Sequence, residues 1–165
     1  MCALFFAPVL VESKQTARRG ALSFPSGRGA EVLPEKPYNV FVVDDDESIR
    51  KALKRLLQVH GYFVITFESA EALLRSDWLH MEGCILLDIR LPGMSGPELY
   101  EKLASIKMIH PVIFMTAHDN PQWREWVAKT DAVAYLLKPF DQESVLDAVN
   151  LAARGRAGFQ HETRN

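Results

Sequence analysis

Three aspartates, Asp44, Asp45 and Asp46, stand together directly after the apolar run 40–43. Like charges at that spacing repel and carboxylates resist leaving water, so a cation or a catalytic task is expected to offset the cost. Asp88 ends "CILLD", Thr116 ends "PVIFMT", and Lys138 follows "AVAYLL". Several carboxylates in one oxygen-rich pocket suit a hard divalent cation, Mg²⁺ first and Mn²⁺ as the substitute. A carboxylate beside such a metal can act as a nucleophile toward an activated phosphoryl group. A lysine and a hydroxyl can hold the transferred oxygens. The set reads as a phosphoryl-transfer site with aspartate as the acceptor.

The elements that must position these residues follow from hydrophobic periodicity. Continuous apolar runs at 40–43, 62–67, 84–88, 111–116 and 132–137 read as strands buried on both faces. Between them, apolar residues recur at helical spacing. Ile49, Ala52, Leu53, Leu56 and Leu57 share one face, and Gly61 stops that helix. Ser69 caps a helix containing Leu73 and Leu74, and Leu99 and Leu103 mark the next, with Pro97 in its first turn. A weaker helix is expected over about 121–130 and a last one over about 142–154, bearing Val145, Ala148, Val149 and Ala152. Five strands alternating with five helices predict an α/β fold with a parallel sheet covered on both faces. Ligands of such sheets sit at the carboxyl ends of the strands, which is where the aspartates, the threonine and the lysine fall.

The chain of 165 residues is long enough for one domain with a proper core, and its net charge of −2 does not suggest a nucleic-acid or membrane-surface binder. The charge is uneven: residues 38–154 carry 12 Lys/Arg against 17 Asp/Glu, a balance of −5, while 1–37 carry 5 against 3. Two cysteines form no disulfide framework and no metal-ligand spacing, so a reducing, cytoplasmic setting is expected, with Cys84 as a small core residue. The opening "MCALFFAPVLV" lacks a basic n-region and is too short to span a bilayer. Residues 1–37, rich in Gly, Ser, Pro and charge, are expected to be a disordered or loosely attached arm, dispensable for folding; 155–165 are a short tail.

Residues 38–154 resemble a response-regulator receiver domain of the CheY-like, flavodoxin-like fold, in its FixJ-like flavour. The motifs "VVDDDESIRKAL", "LLDIRLPGMSGPEL", "MTAH" and "LKPF" carry the resemblance. Each alone is weak; their order, each at a strand end, is specific. The resemblance implies that Asp88 is the phosphoacceptor, that Asp44 and Asp45 are the acidic pair with Asp45 the direct metal ligand, and that the backbone carbonyl of Arg90 is a further ligand. It implies a switch hydroxyl at Thr116, a phosphate-contacting Lys138, a switch aromatic at Tyr135, and a cis peptide before Pro139. It also implies a coupling in which Thr116 moves inward and the Tyr135 ring turns from exposed to buried. Asp46, at the start of "ESIRKAL", is left as a helix cap. Asp131 departs from the family, where glycine is common.

The implied protein is not a conventional enzyme. It takes a phosphoryl group from a sensor histidine kinase or phosphotransfer protein and turns a face toward an output partner or a second copy. Trp123, Trp126 and Tyr135 would lie on that face. One alternative is a phosphatase of the haloacid-dehalogenase kind, with Asp44 and Asp46 as its nucleophile and acid/base pair. Against it, Asp88 would then have no role, no late Asp pair is expected to bind the metal after the lysine, and there is no cap insertion. Another is the receiver fragment of a DNA-binding transcription regulator. No direct nucleic-acid or membrane contact is expected from these residues, and His118 reads as a solvated loop residue.

Overall fold

The structure, a computed structural model, describes residues 9–11, 38–78, 80–108 and 110–157. Five βα units follow one another: β2 (Asn39–Val43) and α1 (Glu47–Val59), β3 (Phe63–Phe67) and α2 (Ala70–Arg75), β4 (Gly83–Asp88) and α3 (Gly96–Ser105), β5 (Val112–Thr116) and α4 (Pro121–Val127), β6 (Ala134–Leu137) and α5 (Gln142–Ala157). A three-residue strand, β1 (Val9–Val11), precedes them. All strands are parallel, in the order β1-β6-β5-β4-β2-β3.

The apolar runs are continuous because each strand alternates between two cores. Val40, Val42, Cys84, Leu86, Ile113, Met115 and Leu136 point toward α1 and α5, where Leu53, Leu57, Val145 and Val149 meet them. Phe41, Val43, Ile85, Leu87, Phe114 and Tyr135 point the other way, toward α2, α3 and α4. Cys84 lies wholly within the first core, and burial pushes its thiol up to about 12, so it is protonated and inert at neutral pH.

Several expectations shift at their edges. The second strand starts at Phe63 and the fifth at Ala134. The last helix continues to Ala157, three residues past 154. The helix expected over 121–130 ends at Val127, because the Thr130 hydroxyl donates to the Val127 carbonyl at 2.7 Å and the chain leaves through turns. The larger difference is β1. Residues 1–37 were expected to form a loose arm, but Val9–Val11 add a sixth strand at the edge of β6; the rest of that arm and 158–165 lie outside the described residues. Asp131 carries no backbone strain: among the described residues Lys107 is the one non-glycine with positive φ, at 56°, and the Asp131 N–H donates to the Tyr100 hydroxyl at 3.1 Å.

Candidate functional site

The sheet brings the predicted polar residues together at the carboxyl ends of β2, β4, β5 and β6. Asp44 follows β2 and is fully buried. Its Oδ1 accepts from the Asp46 N–H at 2.9 Å, and its Oδ2 accepts from Lys138 Nζ at 2.6 Å. Asp88 closes β4, 6 % exposed. Its Oδ1 accepts from the Arg90 N–H at 2.8 Å, and its Oδ2 is in tight contact with the same Lys138 Nζ. One ammonium therefore bridges two buried carboxylates. Asp45 is exposed, yet Asp44, Asp45 and Asp88 each offer a carboxylate oxygen within 4.8 Å of the others.

The electrostatics follow from that count. Burial raises the Asp44 carboxyl above its ordinary value; hydrogen bonding and charge from Lys138 and the Asp46 N–H pull it back, and the Asp88 charge raises it again. Burial alone would lower Lys138, but its hydrogen bonds to Asp44 and Asp88 outweigh that and raise it. Three carboxylates lie together and the one lysine pairs with two of them, which leaves negative charge uncompensated. The all-oxygen donor set, with Asp45 open to water, fits a hard divalent cation.

Asp46 is separate from this cluster. Its Oδ1 accepts from the Ser48 N–H at 2.7 Å and the Ile49 N–H at 3.4 Å, so it caps α1. Asp46→Ala is expected to cost about 1 kcal/mol of stability while leaving Mg²⁺ affinity close to the parent's, because the backbone N–H on Asp44 survives. Asp45→Ala is expected to lose Mg²⁺ affinity and to be no less stable without metal, since it removes like-charge repulsion. Mg²⁺ titration of both variants checks this; equal losses would contradict the division of labour.

Thr116 is buried at the end of β5, but its hydroxyl engages the His118 backbone, donating to the carbonyl at 3.3 Å and accepting from the N–H at 3.2 Å. The Lys138–Pro139 peptide is cis. Tyr135 corrects an expectation: its ring is already packed inside, 2 % exposed, among Phe114, Trp126 and their neighbours, so no turn from an exposed position is available to it here. Its hydroxyl nears the Asn120 backbone without a well-formed hydrogen bond. Trp123 and Trp126 are half-buried rather than free on the surface. Trp126 packs on Phe114 and Tyr100, at 5.4 and 5.8 Å between ring centroids, and Trp123 packs on Trp126 at 6.2 Å.

Two supporting side chains were missed by sequence reasoning. Arg50 Nη1 donates to the Asp44 carbonyl at 2.6 Å, tying the strand end to α1. Glu71 of α2 accepts from the Met94 N–H at 3.0 Å and so holds the loop after the acceptor strand. Two glycines let that loop close. Gly93 has φ of 77°, and a Cβ at Gly96 would stand 2.3 Å from the Asp88 carbonyl oxygen, so α3 can start against β4 only with glycine there.

The fold and the site define the class. A family model described as the response regulator receiver domain matches residues 40–150, and the chain belongs to that family. It is similar to Nodulation protein W of Bradyrhizobium diazoefficiens, 37% identical over 123 residues that cover 74% of this chain and 54% of that protein. It is similar too to the transcriptional regulatory protein FixJ of Rhizobium meliloti, 34% identical over 116 residues, covering 70% of this chain and 57% of FixJ. A crystal structure of FixJ-N superimposes with a TM-score of 0.64 at 35% identity, covering 72% of this chain and 95% of that one. The chain spans about half the length of the curated relatives it matches. These matches give the phosphatase alternative no support. Among the described residues no helix is long and apolar enough to cross a membrane.

Proposed function

We propose that this chain is the phosphoryl-accepting receiver of a cytoplasmic two-component response regulator, with Asp88 as acceptor. A sensor histidine kinase or a phosphotransfer protein is the donor. An Asp88 carboxylate oxygen bonds to phosphorus as the P–N bond to the donor's imidazole breaks. Water later cleaves the acyl phosphate, so the chain turns over its own modification and no separate substrate. The observation that carries this reading is the bridged pair: Asp88 at the end of β4, held by the Arg90 N–H and by Lys138, with Asp44 and Asp45 beside it. Asp44, Asp45, Asp88 and the Arg90 carbonyl would hold Mg²⁺, or Mn²⁺, which when bound neutralises the oxygens of the incoming group. Lys138 and Thr116 would meet the same oxygens, Thr116 after its hydroxyl leaves the His118 backbone.

Acetyl phosphate with Mg²⁺ tests the assignment. The label is expected on the peptide bearing Asp88, with no turnover of phosphate esters. Label on Asp44 together with ester hydrolysis would replace this reading with the phosphatase one. A second reading, that these residues are the receiver part of a DNA-binding regulator, is favoured by the half-length match to relatives named as transcription regulators. The coding sequence beyond Asn165 distinguishes the two.

The output is expected at α4, β6 and α5. Beryllofluoride with Mg²⁺ should change tryptophan fluorescence through Trp123 and Trp126, and Thr116→Ala should reduce the change. Trp78 is no benign background to mutate: it is 1 % exposed, shares the α2–α4 layer, and its Nε1 donates to the Leu73 carbonyl at 2.9 Å. Trp123→Phe and Trp126→Phe are therefore the variants to compare. A signal that persists in both, or that ignores Thr116→Ala, would put the output face elsewhere.

A further inference from the structure

Without β1, β6 would be an edge strand. Its inner side pairs with β5 through Ala134, Tyr135, Leu136 and Leu137, and its outer row of N–H and C=O groups would face water. In the structure that row is taken by Val9–Val11, in parallel register: Val9 opposite Ala134, Leu10 opposite Tyr135, Val11 opposite Leu136. The segment is the apolar stretch "VLV", followed by a run of Gly, Ser, Pro and charged residues. We propose that the outer edge of β6 is a strand-accepting docking site and that its resident occupant is residues 9–11 of the same chain.

The connection makes an intramolecular strand reasonable. Val11 ends β1 at the pocket side of the sheet, whereas Asn39 opens β2 at the opposite side, with β6, β5 and β4 intervening. Four strand spacings across and one strand length along come to roughly 25 Å. Residues 12–38 number 27, and fully extended they would reach roughly 90 Å, so their number suffices to span that distance. A strand tethered by such a length re-docks at high effective concentration, yet three residues of pairing are few enough to detach. Main-chain bonds supply affinity in this mode of recognition. The occupied edge belongs to the strand that carries Tyr135. Anything that docks on this edge must displace the chain's own strand first.

The test is amide hydrogen exchange on the full chain and on the double variant Leu10→Pro/Val11→Pro. Neighbouring residues of a strand aim their N–H groups to opposite edges, so one of the two prolines removes a donor aimed at β6 whichever way β1 is turned. The variant is expected to exchange about tenfold faster at Tyr135–Leu137, with β4 amides unchanged. A peptide spanning residues 4–13, added in excess, should restore the protection, and the same peptide with both prolines should not. Unchanged exchange at β6 would overturn the proposal, as would faster exchange that the peptide leaves untouched. Wild-type protection that falls on dilution would assign the strand to a second copy and overturn the intramolecular occupant. None of these readings depends on phosphorylation, so they stand apart from the assignment of Asp88.

Discussion

Asp88→Asn is expected to accept no phosphoryl group from acetyl phosphate and Mg²⁺, while folding as the parent does. A carboxamide is not a nucleophile toward phosphorus at neutral pH, so the loss should be complete rather than partial. The fold should persist because the amide oxygen can still accept from the Arg90 N–H, a bond now of 2.8 Å. Lys138 keeps Asp44 as its partner at 2.6 Å. The substitution also removes one of three clustered negative charges, so stability at neutral pH should move by no more than about 1 kcal/mol. Intact mass after acetyl phosphate reads the first expectation and urea unfolding the second. Undiminished label on the peptide containing position 88 would remove Asp88 from the acceptor role. The same label moving to Asp44 or Asp45 would show that the pocket is right and the acceptor wrong.

The site was legible because its residues sit where apolar runs stop. A strand covered on both faces must be apolar throughout, so the first carboxylate, hydroxyl or ammonium after each run marks the strand end, and a parallel sheet puts those ends on one edge. Asp46 was legible for a different reason: an aspartate just before a helical period is a cap, whatever else surrounds it. Cys84 followed from its apolar neighbours. Arg50 was not legible. It is one of several basic residues of α1, with Lys51, Lys54 and Arg55, and only the packing of the helix on the sheet decides that Arg50 reaches the Asp44 carbonyl while the others stay exposed. Glu71 was hidden in the same way, as an ordinary first-turn acid whose partner is 23 residues on. The sixth strand was hidden because three apolar residues have no period, and their pairing depends on an edge that exists only once β6 is in place. The inward ring of Tyr135 is a rotamer, which spacing does not encode.

Lys138→Met is expected to destabilise the metal-free protein by about 3 kcal/mol at neutral pH, more than any other single change at the site. The side chains of Lys138, Asp44 and Asp88 are 11 %, 0 % and 8 % exposed, so this is a buried ionic bridge and not a surface pair. Without the ammonium, two buried carboxylates face each other with only backbone N–H groups to hold them. The sign of the pH dependence follows from Asp44. Its folded value lies above the ordinary 3.8, so its contribution to stability is largest below 3.8 and is lost as pH rises through the folded value. Removing Lys138 removes two of the three causes that pull that value down and leaves only the Asp46 N–H, so it climbs further. The gap between parent and variant should therefore narrow as pH falls from 7 toward 4, where the variant neutralises its Asp44 carboxylate. It should narrow at the alkaline end too: Lys138 is raised above its ordinary 10.5, and what it contributes is present below 10.5 and lost as pH rises through the folded value. Mg²⁺ should restore part of the loss, because a cation among Asp44, Asp45 and Asp88 supplies the charge that the methionine lacks. Urea unfolding at several pH values, with and without Mg²⁺, reads all of this. A deficit under half a kcal/mol, or one that stays constant from pH 7 to pH 4, would mean that the bridge contributes no more than an exposed ion pair.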